Sequence, residues 1–120
     1  MCKECRKILV VDDDHLIRDS LYELLSILGY NVECAGNGKD AIELMQKNIY
    51  DALITDHIMP GINGIELTKK IRNVGLKLLI IGISGTCNEK DFLDAGANIF
   101  INKPFTLRVL QNALKSISNS

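Results

Sequence analysis

Residues 8–14, ILVVDDD, are the stretch of this sequence that decides the fold. Four apolar residues lead directly into three adjacent acidic residues. A short, wholly apolar run is typical of a strand that is buried on both faces of a parallel sheet. Three neighbouring carboxylates repel each other, so they need a cap, a counter-charge or a bound cation. The stretch therefore predicts a buried strand with a candidate site at its carboxyl end.

Strand-like and helical patterns alternate along the rest of the chain. Strict alternation predicts an α/β fold in which the strands are parallel and the helices cover both faces of the sheet. With right-handed crossovers, we expect a doubly wound, flavodoxin-like (βα)5 fold with strand order 2-1-3-4-5. The predicted strands are residues 7–11, 31–35, 51–55, 77–83 and 99–102.

Five helices are predicted between and after these strands, and small or polar residues mark their ends. Gly29 and Gly75 stand where helices usually end, and Asp14 and Thr106 stand where an N-cap is favoured. The predicted helices are residues 17–28, 39–47, 65–74, 88–95 and 106–117. The last of them is expected to face the core with Leu107, Leu110, Ala113, Leu114 and Ile117.

The composition is that of an ordinary folded protein of 120 residues, with 47% apolar and 24% charged residues. This length suits one domain, residues 1–120, with a short N-terminal lead at residues 1–6. The net charge of −1 gives no overall attraction to nucleic acid or to an anionic membrane. No apolar run approaches the ~20 residues of a membrane span, and the first apolar run is too short for a signal peptide. We therefore expect a cytoplasmic protein that binds neither nucleic acid nor membrane.

The four cysteines leave two interpretations open. Cys2 and Cys5 form a Cys-x-x-Cys pair, whereas Cys34 and Cys87 stand alone. A redox pair usually opens a helix after a strand, but this pair precedes the first strand. A zinc site would need two further ligands nearby. Free thiols on the N-terminal lead are therefore favoured over a metal or redox role.

Chemically capable residues follow four of the predicted strands. In the expected topology, Asp12, Asp13, Asp56, Ser84 and Lys103 converge at the carboxyl edge of the sheet, where such folds bind ligands. Oxygen-only ligands favour Mg²⁺, and Mn²⁺ would also fit. A lone carboxylate beside a metal ion and a lysine can accept a phosphoryl group. The acceptor would be Asp56, with Lys103 neutralising phosphoryl charge and Ser84 donating a hydrogen bond.

Each of these residues has an ordinary interpretation when it is taken alone. An aspartate at a strand end is usually a turn or cap residue, and an isolated serine or lysine is usually solvated. Asp14 is expected to cap the first helix. His15 and His57 are expected to be exposed loop residues. The convergence of all five candidates on one edge is what favours a functional site.

Four motifs in this chain resemble the receiver domain of two-component response regulators. They are ILVVDDD, residues 56–64 (DHIMPGING), Ser84-Gly85 and residues 96–105 (GANIFINKPF). The resemblance covers essentially the whole chain, with every motif in order, and the chain looks like a stand-alone receiver. It implies that Asp56 takes a phosphoryl group from a histidine kinase or a histidine phosphotransfer protein.

The resemblance also implies roles for the residues around Asp56. Asp12, Asp13, Asp56 and the backbone carbonyl of Ile58 would hold Mg²⁺. Ser84 and Lys103 would respond to the phosphoryl group, and Phe100 would be the switch aromatic. The Lys103–Pro104 peptide bond would be cis. A downstream protein would bind the surface formed by the fourth helix, the fifth strand and the fifth helix.

Departures from the family pattern bear on the lifetime of the phosphoryl group and on the oligomeric state. Asn63 and Gly85 replace commoner residues, and Ile58 and Thr86 occupy positions expected to tune the phosphoryl lifetime. The fifth helix starts with Thr106-Leu107-Arg108 and lacks an early acidic residue, so a monomer is expected. Two other functions are disfavoured by the same residues. An unphosphorylated scaffold has no need of the intact acidic site, and a phosphatase needs an acid where Ile58 stands, so no separate substrate turnover is expected.

Overall fold

The computed structural model describes residues 6–86 and 88–118, so the expectations for Cys2, Cys5 and Cys87 lie outside the described residues. Five strands and five helices alternate within it. The elements are β1 (Lys7–Val11), α1 (His15–Ile27), β2 (Asn31–Ala35), α2 (Gly38–Lys47), β3 (Ala52–Asp56), α3 (Gly64–Asn73), β4 (Leu79–Ser84), α4 (Glu89–Ala95), β5 (Ile99–Asn102) and α5 (Leu107–Ser118).

The strands form one parallel sheet in the order β2-β1-β3-β4-β5, which confirms the predicted topology. Val11 lies beside Ala35 on one side and Thr55 on the other. Ser84 lies beside Asn102. The strands therefore end at nearly the same level, and the residues that follow them share one edge.

Two strands, β3 and β4, start and end at other residues than predicted. β3 starts and ends one residue later than predicted, because Asp51 lies before the strand and is held by Lys7. The Asp51 backbone N donates to the Lys7 carbonyl, and the Asp51 carboxylate accepts from the Lys7 backbone N. β4 starts at Leu79 instead of Lys77, since Leu79 N is the donor that bonds the Asp51 carbonyl. The shift makes Asp56 the last residue of β3.

The helix signals hold at most ends. Asp14 Oδ1 accepts a hydrogen bond from Leu16 N at 2.9 Å, and Thr106 Oγ1 accepts one from Val109 N at 3.2 Å. Gly29 adopts a φ of 101° directly after α1, a conformation that favours glycine. Among the described residues, no helix is long and apolar enough to cross a membrane.

The core consists of two apolar clusters, one on each face of the sheet. β1 serves both, since Ile8 and Val10 face one cluster and Leu9 and Val11 the other. One predicted core position is wrong: Leu107 is 38% exposed, because it lies in the first turn of α5, where residues 106–109 are all exposed. The other positions predicted to be inward in α5 are buried: Leu110, Ala113, Leu114 and Ile117.

Candidate functional site

Three carboxylates meet at the carboxyl edge of the sheet. Asp12 and Asp13 follow β1, and Asp56 ends the neighbouring β3. One oxygen from each of the three lies within 4.8 Å of the others. Asp12 is 5% exposed, whereas Asp13 is exposed. The sequence separates these groups by more than forty positions, and the switch in strand order brings them together.

Lys103 supplies the opposing charge. Its Nζ lies 2.8 Å from Asp56 Oδ1. The backbone places it there, because Lys103 N donates to the Ser84 carbonyl at 3.0 Å. The Lys103–Pro104 bond is cis, as the resemblance implies. Burial lowers the pKa of Lys103, but its hydrogen bond to Asp56 and the nearby carboxylates outweigh this, and the net pKa is raised. Lys103 therefore remains an ammonium in the site.

Asp12 is the carboxylate held most firmly by the fold. Burial raises its pKa, the hydrogen bond from Asp14 N to Asp12 Oδ1 at 2.9 Å opposes this, and the Asp56 charge raises it further. Arg18 Nη1 donates to the Asp12 carbonyl at 2.7 Å and so fixes the backbone of the acidic run. A cation at this edge would favour the ionised form that burial disfavours.

The donor set fits a magnesium ion. All three side chains offer oxygen, which is the ligand type that Mg²⁺ prefers. At metal–oxygen distances of about 2 Å, ligand oxygens around an octahedral ion lie about 3 to 4 Å apart. The 4.8 Å limit on the three carboxylates is therefore within a small side-chain adjustment of that spacing. Ile58, the expected backbone ligand, lies two residues after Asp56 with its side chain 65% exposed.

The start of α3 packs tightly against Asp56. The position of a Cβ on Gly64 would fall 2.1 Å from the Asp56 carbonyl oxygen, so only glycine fits there. Gly64 N also donates to the His57 carbonyl at 2.8 Å. Asn63 and Glu66 form a capping box at this helix start. The local structure thus fixes the backbone that carries Asp56.

Ser84 lies at the edge, but none of its hydrogen bonds to described residues reaches Asp56. The residue is 2% exposed, and its hydroxyl pairs with Thr86 Oγ1 at 2.8 Å and with Asn88 Oδ1 at 3.0 Å. Thr86 N donates to Ser84 Oγ at 3.0 Å. The structure therefore brings Asp12, Asp13, Asp56 and Lys103 together, while Ser84 is engaged by the loop after β4.

An aromatic cluster lies behind this loop. The centroid of the half-buried Phe100 ring lies 5.8 Å from that of the fully buried Phe92 ring. The His57 ring meets the Phe92 ring edge-on, with 5.9 Å between their centroids. His57 is half-buried, with Nδ1 enclosed and without a hydrogen-bond partner among the described residues, so the expectation of an exposed loop residue is wrong for it. His15 is exposed at the start of α1.

Sequence reasoning missed three contributors to the site. Arg18 and Phe92 carried no signal beyond ordinary helical spacing. Asn88 begins a helix, where asparagine is normally interpreted as a cap, so its contact with Ser84 could not be anticipated from the residue type.

The sequence matches the family model described as "response regulator receiver domain" over residues 8–115. It is 38% identical over 114 residues to the response regulator MprA of Mycobacterium sp. (strain KMS). The aligned region covers 92% of this chain and 50% of that protein. MprA of Mycobacterium leprae is 37% identical over the same length. The chain therefore spans about half the length of the curated relatives it matches.

Solved structures resemble the whole described fold. A putative response regulator from Chloroflexus aurantiacus has a TM-score of 0.90 and 33% identity, covering 97% of this chain and 99% of that one. The response regulator TrrA from Thermotoga maritima, solved in complex with Mg(2+)-BeF, has a TM-score of 0.86 and 33% identity, covering 93% and 98%. A receiver domain from a Francisella response regulator has a TM-score of 0.90 and 28% identity, covering 95% and 97%.

Proposed function

The chain belongs to the response regulator receiver domain family, and from this premise we propose that it is a phosphoacceptor whose acceptor residue is Asp56. The observation that carries the proposal is the cluster of three carboxylates with the Lys103 ammonium on Asp56 Oδ1. A structural ion pair needs one carboxylate, and three together are costly unless a cation joins them. The proposed donor is a phosphohistidine on a histidine kinase or a histidine phosphotransfer protein. Such donors imply a cytoplasmic location.

In the proposed reaction, one oxygen of the Asp56 carboxylate attacks the phosphorus of the phosphohistidine. A P–O bond forms, the P–N bond breaks, and the imidazole leaves with the electron pair of that bond. The Lys103 ammonium is already hydrogen-bonded to Asp56 and can donate to a phosphoryl oxygen as negative charge develops there. Asp12 and Asp13 would hold Mg²⁺, which supplies positive charge for the phosphoryl oxygens when bound. The chain holds its own phosphoryl group, so we propose no turnover of a separate substrate.

We propose that the output is a changed protein-binding surface formed by α4, β5 and α5. Apolar side chains are exposed on both helices there, with Leu93 at 40%, Leu107 at 38% and Val109 at 44%. Phe100 on β5 lies between this surface and the buried Phe92. A phosphoryl group that binds one arrangement of Ser84 better would shift the population of this surface. We propose that the chain is a monomer in the resting state.

Intact mass spectrometry after incubation with acetyl phosphate tests the chemistry. We expect one added phosphoryl group in the presence of Mg²⁺, and none with EDTA or in Asp56→Asn. Asp14→Asn is the matched control, because Asn caps a helix as well as Asp does and Asp14 is not in the carboxylate cluster. It should be phosphorylated like the parent protein. Equal labelling of Asp56→Asn would overturn the assignment.

A further inference from the structure

Three helices of this protein begin at an asparagine, and one of these residues behaves differently. Asn37 Oδ1 accepts from Asp40 N at 2.8 Å, and Asn63 Oδ1 accepts from Glu66 N at 2.9 Å. Both residues have extended backbones, with ψ of 170° and 174°. Asn88 precedes α4 with ψ of 27° and makes no side-chain bond to the helix. A residue type that caps helices well is therefore not capping here.

The Asn88 side chain is instead bound to the loop that follows β4. Its Oδ1 accepts hydrogen bonds from Ser84 Oγ at 3.0 Å and from Thr86 Oγ1. The two hydroxyl oxygens also lie 2.8 Å apart, so their two protons are shared among three contacts. Asn88 thus holds Ser84, the candidate phosphoryl-sensing residue, in an orientation that serves the loop. The same side chain cannot cap α4 while it keeps these partners.

We infer that Asn88 is a positioning residue that exchanges partners when Asp56 is phosphorylated, an inference that rests on the proposed function. When the Ser84 hydroxyl turns towards a phosphoryl oxygen, Asn88 Oδ1 loses its buried partner. The side chain is then released to accept from the first-turn amide of Asp91, the position that Asn37 and Asn63 use in their own helices. This change requires Asn88 to adopt an extended backbone, which moves the start of α4.

The opposite end of α4 is fixed, so the movement is confined to its start. Arg72 Nε donates to the Gly96 carbonyl at 2.9 Å, directly after the helix. Arg72 Nη2 donates to Asn98 Oδ1, which also accepts from Ile80 N, each at 2.8 Å. These contacts tie the end of α4 to α3 and β4. Exchange at Asn88 would therefore tilt α4 about a fixed C-terminal end.

The exchange is balanced enough to act as a switch. Asn88 gives up hydrogen bonds to two hydroxyls that can still bond to each other, and it gains a helix cap. Both kinds of bond contribute similar free energies, so neither arrangement dominates strongly and a ligand for Ser84 can select between them.

Beryllofluoride with Mg²⁺, added to the full chain as a phosphoryl mimic, tests the inference by NMR. In the parent protein we expect the Asp91 amide to become protected from hydrogen exchange on saturation. Asn88→Ser caps helices equally well but has a shorter side chain that cannot hold both hydroxyls, so it should protect the Asp91 amide before the mimic is added and bind the mimic with about the affinity of the parent. Asn88→Ala should bind the mimic without protecting Asp91. Asn37→Ala, which removes a cap distant from Ser84, should match the parent in affinity.

The outcomes separate this inference from the proposed function. If the parent protein is neither phosphorylated by acetyl phosphate nor bound by beryllofluoride, the proposed function fails and the inference falls with it. If the parent binds and Asn88→Ala still gains protection at Asp91, the exchange is wrong while the phosphoacceptor role stands. Protection of the Asp91 amide in Asn88→Ser that appears only after the mimic is added would refute the holding role of Asn88. Thermal unfolding of each variant shows whether the fold persists.

Discussion

Replacing Gly64 by alanine should damage the fold and the site together, because this glycine lies against the backbone of the candidate acceptor. The added Cβ would be 2.1 Å from the Asp56 carbonyl oxygen and 3.0 Å from its carbonyl carbon. Normal contact needs about 3.5 Å, so α3 and β3 must separate by more than 1 Å. The obstacle is backbone in a strand paired on both sides, which cannot turn away as a side chain can.

The expected cost of Gly64→Ala follows from two contributions. Forcing extra volume into a tight contact costs about 1–3 kcal/mol, and the upper end applies because neither partner is flexible. Separation also stretches the hydrogen bond from Gly64 N to the His57 carbonyl, worth about 1 kcal/mol. We therefore expect the free energy of unfolding to fall by about 3–4 kcal/mol. With a urea m-value of about 1.5 kcal/mol per molar, the midpoint should fall by about 2 M.

Urea unfolding followed by circular dichroism measures this loss, and Gly29→Ala provides the comparison. Gly29 has a positive φ of 101° but no atom within 4 Å of an added Cβ, so it should lose only about 1 kcal/mol from backbone strain. Gly29→Ala should also accept a phosphoryl group normally. If Gly64→Ala loses less than about 1 kcal/mol and is labelled like the parent, the reasoning from close approach is refuted.

Three further perturbations give separate checks. The hydrogen bond from Tyr50 lowers the pKa of Glu33, so its contribution to the free energy of unfolding is present above the unfolded pKa and is lost as the pH falls through the lowered value. Tyr50→Phe should therefore cost about 1 kcal/mol at pH 7 and less at pH 3, as measured by urea titration. A loss that does not depend on pH would contradict this. Lys103→Ala leaves the three carboxylates without the ammonium that neutralises them. The midpoint of thermal unfolding should therefore be lower than that of the parent without Mg²⁺, and it should rise more when Mg²⁺ is added. An equal rise would argue that Lys103 and Mg²⁺ do not neutralise the same carboxylates. Phe92→Ala removes a fully buried ring packed over Gly82 and should cost about 3–5 kcal/mol by the same urea assay, whereas a loss under 1 kcal/mol would mean that the aromatic cluster is not part of the core.

The fold could be predicted from the sequence because its strands are short apolar runs and its helices carry clear end signals. Residues 8–11 are buried on both faces of the sheet, as the uninterrupted apolar run requires. Asp14 caps α1 because its position directly before a helical pattern leaves few other uses for its side chain. The order of strands then followed from general rules of handedness, and it placed the carboxylates correctly.

What could not be predicted depends on contacts between segments distant in sequence or on choices between equal partners. The limits of β3 depend on Asp51 pairing with Lys7, 44 positions away. Leu107 has the right spacing for the core but lies in a helical turn that is exposed throughout. Asn88 can cap a helix or bind hydroxyls, and residue type does not decide between the two. Such choices are settled by the local geometry of the folded chain.

The acidic run that follows the first strand is explained by the different roles of its three residues. Asp14 caps α1, and the buried Asp12 accepts a hydrogen bond from the Asp14 amide. Both hydrogen bonds offset part of the free energy that the adjacent negative charges cost. Asp13 has no such bond among the described residues and still faces the same cluster. With Asp56 added, three carboxylates oppose one ammonium, and a like-charge pair at 4 Å costs about 4 kcal/mol in a surface-like dielectric. A phosphoryl group would bring further negative charge to this edge. In the proposed function, the charge balance that favours a cation at the resting site should therefore also make that cation necessary for phosphorylation.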